Sequence, residues 1–310
     1  MIEQEQTNVE TENYSINKLT VGWHTSISPS VIKGLSIIEN IHKQSTSSFN
    51  VSAQIFLKSP TGSGSCKLTP DDKKKIKTHL ETHNIFLVIH GQYIINFIKT
   101  DIEWAIKSVV EDLKVINEIS PNPSQTGVVV HMGKNMEKLS IDQCIENFYI
   151  NIKQVIEQTI DCKSKIILET STKTKNGNDI FHDIITFGRL TTHLKNKLSP
   201  EEYDRIGFCI DTAHIFGSGY DIRTREGFDN FMMLWNEQVG RLTVFHLNDS
   251  KACLCSCLDR HEQIGEGHVF KENKEGLQAL LIYARDNGIP VILETDGDMM
   301  QEMRLIQELL

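Results

Sequence analysis

Eight short apolar segments of β type recur along the chain, and they constrain its fold more than any other feature of the sequence. Nearly every position within each segment is apolar, which is typical of strands buried on both faces of a parallel sheet. The segments cover residues 19–23, 51–57, 85–89, 127–130, 165–168, 206–210, 242–245 and 290–293. The sequence therefore predicts eight buried parallel strands.

Segments with helical start signals and helical spacing lie between these strands. Thr69-Pro70 and Ser199-Pro200 each place an N-cap residue before a proline, and Glu202 completes a capping box with Ser199. Alternating strands and helices over residues 19–310 predict a single-domain α/β fold, the (β/α)8 TIM barrel. An open doubly wound sheet is the alternative, but no glycine-rich phosphate loop follows any strand.

The terminal sequence, the cysteines and the net charge limit the compartments and the binding partners that fit this chain. Residues 1–18 form a polar, acidic tail that we expect to be disordered, without the apolar core of a signal peptide. No apolar run is long enough to span a bilayer. Seven scattered cysteines predict reduced thiols and hence an intracellular protein, in the cytoplasm, the nucleus or a virus particle. The net charge of −9 argues mildly against a polyanionic partner unless divalent cations are bound.

Each of the last six strands ends in a residue that can bind a metal ion. The intervals of 35 to 48 residues between them match one βα unit each. Because the carboxyl ends of barrel strands converge on one mouth, these side chains are predicted to meet there. Polar residues often end strands, but that explanation predicts Asn, Ser, Lys or Gly as readily. The six residues are His90, His131, Glu169, Asp211, His246 and Glu294.

Three further candidate ligands follow strands six and seven: His214, Asp259 and His261. Nine ligands are too many for one tetrahedral ion, so two or three ions sharing carboxylates are predicted. Imidazole and carboxylate donors favour zinc, or else manganese or iron. The other histidines, at 24, 42, 79, 83, 182, 193 and 268, are interpreted as packing or surface residues. The run Cys253, Cys255 and Cys257 is either a thiolate site or, more simply, free thiols on an exposed loop.

Seven motifs, taken together and in this order, resemble the endonuclease IV family of apurinic/apyrimidinic (AP) endonucleases. The resemblance covers the chain from about residue 19 to its end. Three departures are visible: Gln92 stands where the family usually has proline, Ala213 replaces a common cysteine, and the N-terminal tail is extra. The motifs are HGQYIINF (90–97), VVVHMG (128–133), ILETSTK (167–173), GFCIDTAHIFGSGYD (207–221), FHLNDSK (245–251), DRHEQIGEG (259–267) and PVILETDG (290–297).

The resemblance implies a TIM barrel with three zinc ions, with manganese as an alternative at one site. By motif position, His90, His131 and Glu169 would hold the first ion. Glu169 would bridge to a second ion, which is completed by Asp211, His246 and Glu294. The third ion would take His214, Asp259 and His261. Glu169 and Glu294 would be the catalytic carboxylates.

The implied activity is base excision repair: hydrolysis of the phosphodiester 5′ to an abasic site in double-stranded DNA, leaving a 3′-hydroxyl and a 5′-deoxyribose phosphate. Tyr93 and Ile94 would wedge into the base stack at the lesion. We expect a monomer without membrane association. Candidate phosphate contacts are Lys58, Asn96, Asn248, Lys251 and Arg260.

Two other functions fit parts of the pattern. Sugar isomerases and epimerases place Glu, Asp and His at the strand ends of a similar barrel around one or two divalent ions. They would not need a third ligand group at His214, Asp259 and His261. A DNA-damage binding protein without turnover is the other alternative, although every ligand position is filled.

Overall fold

The eight barrel strands pair in parallel and close on themselves in the order β1-β10-β7-β6-β5-β4-β3-β2. The computed structural model describes residues 18–45, 49–62 and 64–310. Residues 1–17 of the predicted tail lie outside this range. The barrel strands are Thr20–His24 (β1), Asn50–Ile55 (β2), Ile85–His90 (β3), Gly127–His131 (β4), Lys165–Glu169 (β5), Ile206–Asp211 (β6), Val244–His246 (β7) and Val291–Leu293 (β10).

The closure confirms the predicted (β/α)8 barrel and excludes the open sheet. Val21 of β1 is in register with Val51 of β2 on one side and with Val291 of β10 on the other. An open sheet would leave an edge at one of these positions. The strand bounds differ from the predicted ones by one or two residues, mainly because the polar residue that ends a strand is itself paired in the sheet.

The helices form the outer layer and bury their apolar faces against the strands. The predicted N-caps at Thr69 and Ser199 and the predicted capping box of Ser199 with Glu202 are confirmed, and Thr69 forms a further capping box with Asp72. The described helices are Val31–Gln44 (α1), Pro70–His83 (α2), Glu103–Ile119 (α3), Ile141–Glu157 (α4), Ile184–Lys197 (α5), Pro200–Asp204 (α6), Thr212–Ser218 (α7), Arg225–Gln238 (α8), Glu275–Asp286 (α9) and Met299–Leu309 (α10).

A short antiparallel pair lies outside the barrel, after β7. Asp249–Ser250 (β8) pairs with His261–Glu262 (β9), in the register Ser250 opposite His261. This pair returns the chain to the barrel mouth after the loop that contains the three neighbouring cysteines. Across the described ranges, no helix is both long enough and apolar enough to cross a membrane.

Candidate metal centre

The ligand residues form the layer directly above the apolar core of the barrel interior. Six buried side chains, one each from β3 to β7 and β10, pack together inside the barrel: Val88, Val129, Ile167, Cys209, Val244 and Ile292. Side chains two positions apart on a strand point to the same face. The next inward position on each strand is therefore the predicted ligand: His90, His131, Glu169, Asp211, His246 and Glu294.

Glu169 lies at the centre of this layer, and its two carboxylate oxygens face different histidines. Oε2 is 3.1 Å from Nε2 of His131 and 3.4 Å from Nε2 of His90. Oε1 is 2.9 Å from Nδ1 of His246 and 3.7 Å from Nδ1 of His214. The carboxylate thus stands between two groups of imidazoles. This is the placement required of a residue that bridges two ions.

Three of the imidazoles are fixed by hydrogen bonds from their second nitrogen. Nδ1–H of His90 donates to the carbonyl of Gly91 at 2.7 Å, and Nδ1–H of His214 donates to the carbonyl of Thr170 at 2.7 Å. Nε2–H of His246 donates to Oε1 of Gln54 at 2.9 Å. Such bonds fix the ring orientation and leave the other nitrogen free for a metal ion.

The third group is assembled by a helix start and by the β8–β9 pair. Asp211 caps α7, and its Oδ1 accepts the backbone N–H of His214 at 2.9 Å. Oδ2 of Asp259 lies 3.1 Å from Nε2 of His214, and Oδ1 lies 3.2 Å from Nε2 of His261. Nε2 of His261 is also 3.6 Å from Oδ2 of Asp211. Asp211 therefore lies between the second and third groups.

The charges in the centre fit bound cations. Burial works to raise the pKa of Glu169, but the neighbouring imidazoles of His131 and His246 lower it well below its ordinary value. Burial works to lower the pKa of His246, but Glu294 and Glu169 raise it well above the ordinary value. Oε2 of Glu169 and Nε2 of His261 are buried without a hydrogen-bond partner among the described residues. Divalent ions would neutralise the charge of these carboxylates and bind the atoms that lack a hydrogen-bond partner.

Gln54 is a functional residue that the sequence interpretation missed. Its Oε1 accepts from His246, and its Nε2 donates to Oε1 of Glu294 at 2.5 Å and lies 3.1 Å from Nδ1 of His24. Burial lowers the pKa of His24 to about 4, so this ring is neutral at pH 7. The only signal in the sequence was a glutamine inside the apolar segment 51–57, and the structure shows that this side chain is fully buried.

Replacing Gln54 with leucine should weaken metal binding by about 10- to 100-fold, as loss of a residue that orients a ligand usually does. His246 would lose the acceptor that holds its ring. Competition with a chelator measures the effect, and Gln301→Leu, at an exposed position of α10, is the matched control. Equal metal retention in both variants would contradict an orienting role for Gln54.

An open cleft of about 480 Å³ leads from the metal centre to the surface. Tyr93 and Ile94 lie at its rim and are 47% and 49% exposed, which is high for large apolar side chains. The Tyr93 ring is centred 5.3 Å from each of the rings of Phe56, His90 and His131. Burial and nearby carboxylates, Glu294 foremost, raise the pKa of the Tyr93 hydroxyl above its ordinary value, so it stays protonated.

Gln92 anchors the loop that carries Tyr93. Its side-chain amide donates to the carbonyls of Ser59 (2.9 Å) and Gly62, and its Oε1 accepts from the Ser108 hydroxyl at 2.6 Å. Tyr93 itself donates its backbone N–H to the carbonyl of Pro60 at 2.9 Å. The residue that replaces the usual proline thus ties the loop after β3 to the loop after β2.

Two predicted phosphate contacts require correction, because their side chains are buried. Nζ of Lys58 lies 3.1 Å from Asp112 and 3.2 Å from Glu111, and it donates to the carbonyl of Ser108. Asn248 is fully buried, and its Nδ2 donates to Asp211 at 2.7 Å. Neither residue faces the cleft. Lys58 neutralises a buried carboxylate, and Asn248 orients a ligand.

The other predicted contacts are accessible, and the cleft adds two lysines. Lys251 and Arg260 are exposed and lie together on the β8–β9 unit, where Lys251 N–H donates to the carbonyl of Arg260 at 2.9 Å. Asn96 lines the cleft, with its amide donating to the carbonyl of Lys134 at 2.8 Å. Lys99 and Lys134 line the same cleft. The sequence interpretation missed these two lysines, because no motif marks their positions after strands three and four.

Asp249 shows that a carboxylate within a motif can be purely structural. The side chain is buried and accepts backbone N–H groups of the following loop, from Ser250, Gly265, Gly267, Val269 and Phe270. These bonds fix the loop after β9 and thereby help to position β9, which contains His261. The cysteines of the preceding loop are free, and Cys257 lines the cleft.

Fold and site together define a (β/α)8 barrel whose mouth holds groups of side chains that could bind metal ions, and comparison with known proteins places the chain in a family. A family model described as a xylose isomerase-like TIM barrel matches residues 52–309. The putative endonuclease 4 of Acanthamoeba polyphaga mimivirus is 32% identical over 286 residues, which is 90% of this chain and 86% of that protein. The chain belongs to the endonuclease IV family of AP endonucleases, and its enzyme class is that of the nuclease hydrolases.

Solved structures show the same fold in two functional classes. Endonuclease IV from Thermus thermophilus has a TM-score of 0.71 and 22% identity, over 93% of this chain and 98% of that one. A D-tagatose 3-epimerase-like protein has a TM-score of 0.64 and 16% identity, over 93% and 96% of the two chains. At these identities the likeness to the two solved structures shows the barrel fold alone.

Proposed function

We propose that this chain is a zinc-dependent AP endonuclease of base excision repair. It would hydrolyse the phosphodiester 5′ to an abasic site in double-stranded DNA. The observation that carries the proposal is the ring of nine ligand residues beneath an open cleft whose rim exposes Tyr93 and Ile94. Family membership supports the class of substrate, since relatives such as the mimivirus protein are named as endonucleases.

Three zinc ions fit the three groups of donors. His90, His131 and Glu169 form the first group. The resemblance assigns His246, Glu294 and Asp211 to the second group: His246 lies close to Glu169 and Glu294, whereas Asp211 lies with His261 of the third group. His214, Asp259 and His261 form the third, with manganese as an alternative occupant of one site. Bound ions supply a strong water-derived nucleophile near neutral pH and neutralise charge on the phosphate.

The protein's own residues set the geometry for this chemistry. Glu169 fixes the spacing of the two groups that its oxygens face, and Gln54 and Asn248 hold His246, Glu294 and Asp211 in position. Water oxygen becomes bonded to phosphorus and the bond from phosphorus to the 3′ oxygen breaks, so a proton must reach that oxygen. The products are a 3′-hydroxyl and a 5′-deoxyribose phosphate. The reaction needs no side-chain nucleophile.

The cleft rim supports recognition of a damaged duplex. Tyr93 and Ile94 present a ring and an aliphatic side chain at the height of the metal centre, and a missing base lowers the cost of inserting them into the stack. Arg260, Lys251 and the cleft lysines provide local positive charge for phosphates. The net charge of −9 then favours weak binding to undamaged DNA.

Tyr93→Ala should weaken binding to an abasic-site duplex by about 10- to 100-fold, the value of one stacked aromatic ring. The rate at saturating substrate should fall much less, because the ligands stay in place. Tyr93→Phe, which keeps the ring contacts with His90 and His131, should bind like the parent. Fluorescence anisotropy on damaged and intact duplexes separates the two effects. Unchanged affinity in Tyr93→Ala would show that the ring only packs beneath the loop.

A nicking assay on a duplex with one tetrahydrofuran abasic analogue tests the proposal. We expect one cut immediately 5′ to the analogue, with a 3′-hydroxyl that a polymerase extends. Ketose or aldose turnover without nicking would favour a sugar isomerase or epimerase on the same barrel. Tight, lesion-specific binding without cutting would favour a damage-binding protein.

We also propose that the chain acts as a monomer in a reducing compartment: the cytoplasm, the nucleus or a virus particle. All seven of its cysteines are free, as expected where thiols stay reduced. Sedimentation of the metal-loaded chain tests the monomer, and a dimer would contradict it.

A further inference from the structure

A second group of metal-ligand residues lies on the outside of the barrel, far from the mouth. Glu39 of α1 contacts two histidines of α2, which are one helical turn apart in the segment His79-Leu80-Glu81-Thr82-His83. Residues four apart on a helix lie on the same face, and histidines at this spacing bind zinc in metalloproteases. The sequence interpretation treated both histidines as packing or surface residues, because Glu39 is distant in the chain, 40 residues from His79.

The distances suit a single ion. Nε2 of His79 lies 3.1 Å from Oε2 of Glu39, and Nδ1 of His83 lies 2.7 Å from Oε1. The two rings are centred 4.4 Å apart. Ligand atoms around a tetrahedral zinc ion stand about 3.3 Å apart. The three donor atoms lie within 4.8 Å of one another, so adjustment of the side-chain torsions would place them around one ion, with water in the fourth position.

The burial of Glu39 is a second observation that fits a cation at this position. The residue is 6% exposed, and its Oε1 has no hydrogen-bond partner among the described residues, although His83 Nδ1 is close. A buried carboxylate is costly unless it is paired or binds a metal ion. The same combination, a buried and orphaned carboxylate oxygen beside imidazole nitrogens, occurs at Glu169 in the barrel mouth.

The position of this group separates it from the catalytic centre. His83 is the last residue of α2 and precedes β3, whereas His90 ends β3 at the mouth. The length of β3, roughly 17 Å at about 3.3 Å per residue, separates the two levels of the barrel. The group therefore lies towards the face opposite the cleft, where TIM barrels carry residues that stabilise the fold.

We infer that Glu39, His79 and His83 form a structural site for a divalent transition metal, with zinc the expected ion. Two imidazoles and one carboxylate are donors that zinc accepts in a tetrahedral site with one water. The ion links α1 to α2 and neutralises Glu39. Since it binds only the folded chain, it should raise the melting temperature.

Equilibrium dialysis of the zinc-loaded full chain against a fixed concentration of free zinc tests the inference. The parent should hold one zinc ion more per chain than His83→Gln or the double variant His79→Ala/His83→Gln. His193→Gln is the matched control, because it removes another histidine that pairs with a glutamate, Glu146, between two outer helices. The control should keep the parent's zinc content.

Equal zinc content in parent and variants would overturn the inference and leave Glu39 in an ordinary ion pair. His83→Gln keeps the test decisive if the double variant fails to fold, because the His83 side chain is 37% exposed. Circular dichroism and the zinc-dependent rise in melting temperature are read on the same samples. The comparison does not depend on nicking, so it stands even if the proposed repair activity fails.

Discussion

Glu169→Gln should reduce cleavage of an abasic-site duplex by roughly 10³-fold or more, the scale on which a preorganised charge-stabilising group contributes. Glutamine keeps the size of the side chain but not the charge that faces both groups of imidazoles. One of the two carboxylate oxygens, which now lie 3.1 Å from His131 and 2.9 Å from His246, would be replaced by an amide nitrogen, and ions would be held with altered spacing. Single-turnover nicking measures the loss directly.

Glu266→Gln is the control for this prediction. Glu266 lies in the glycine-rich loop after β9, its side chain is 50% exposed, and its loss should leave cleavage unchanged. The melting curve of Glu169→Gln should stay cooperative, because the barrel core beneath the ligand layer is intact. More than a few per cent of parental cleavage in Glu169→Gln would contradict the bridging role.

Lys58→Ala should destabilise the protein by about 3–5 kcal/mol, because it leaves a buried carboxylate without its counter-ion. The side chains of Lys58 and Asp112 are 1% and 2% exposed. Burial raises the pKa of Asp112 to about 6 although Lys58 acts against the shift. Urea unfolding of the metal-loaded chain measures the change, and Asp112→Asn in the Lys58→Ala background should restore part of it.

The same variant distinguishes the structural role of Lys58 from a role in DNA binding. Lys251→Ala, at an exposed position, is the control and should change stability little. If Lys58 contacted phosphate, Lys58→Ala would keep its stability and would lower the salt dependence of DNA binding by about one unit of slope. That outcome would restore the prediction made from the sequence.

The ligand layer was predictable because two repeats coincide in it: side chains alternate between the faces of each strand, and the strands recur once in every βα unit. Each barrel strand presents alternate side chains to the interior, so Ile167 and Glu169 share one face, as do Val244 and His246. An apolar run that ends in a ligand residue therefore indicates both a barrel strand and a position in the site. The (β/α)8 order follows from the same runs and from the capping signals at Thr69 and Ser199.

The residues that the sequence interpretation misplaced or missed have partners that are distant in the chain. In the sequence Lys58 resembles a cation on a surface loop, but in the structure it lies beside Asp112 of α3. The role of Gln54 depends on His246, 192 residues later. The pairing of Glu39 with the two histidines of α2 likewise forms only when neighbouring helices pack. Local patterns report strand ends and helix caps, but burial of a polar side chain is a property of the assembled barrel.

Reloading of the chelator-treated chain with zinc tests the central claim most directly, that three ions in one centre drive cleavage 5′ to an abasic site. Nicking is followed as zinc is added to the His83→Gln variant, which should lack the outer site. The nicking rate should rise to a plateau as bound zinc reaches three ions per chain, with a single cut 5′ to the lesion. A plateau at one ion per chain, or three bound ions without nicking, would contradict it.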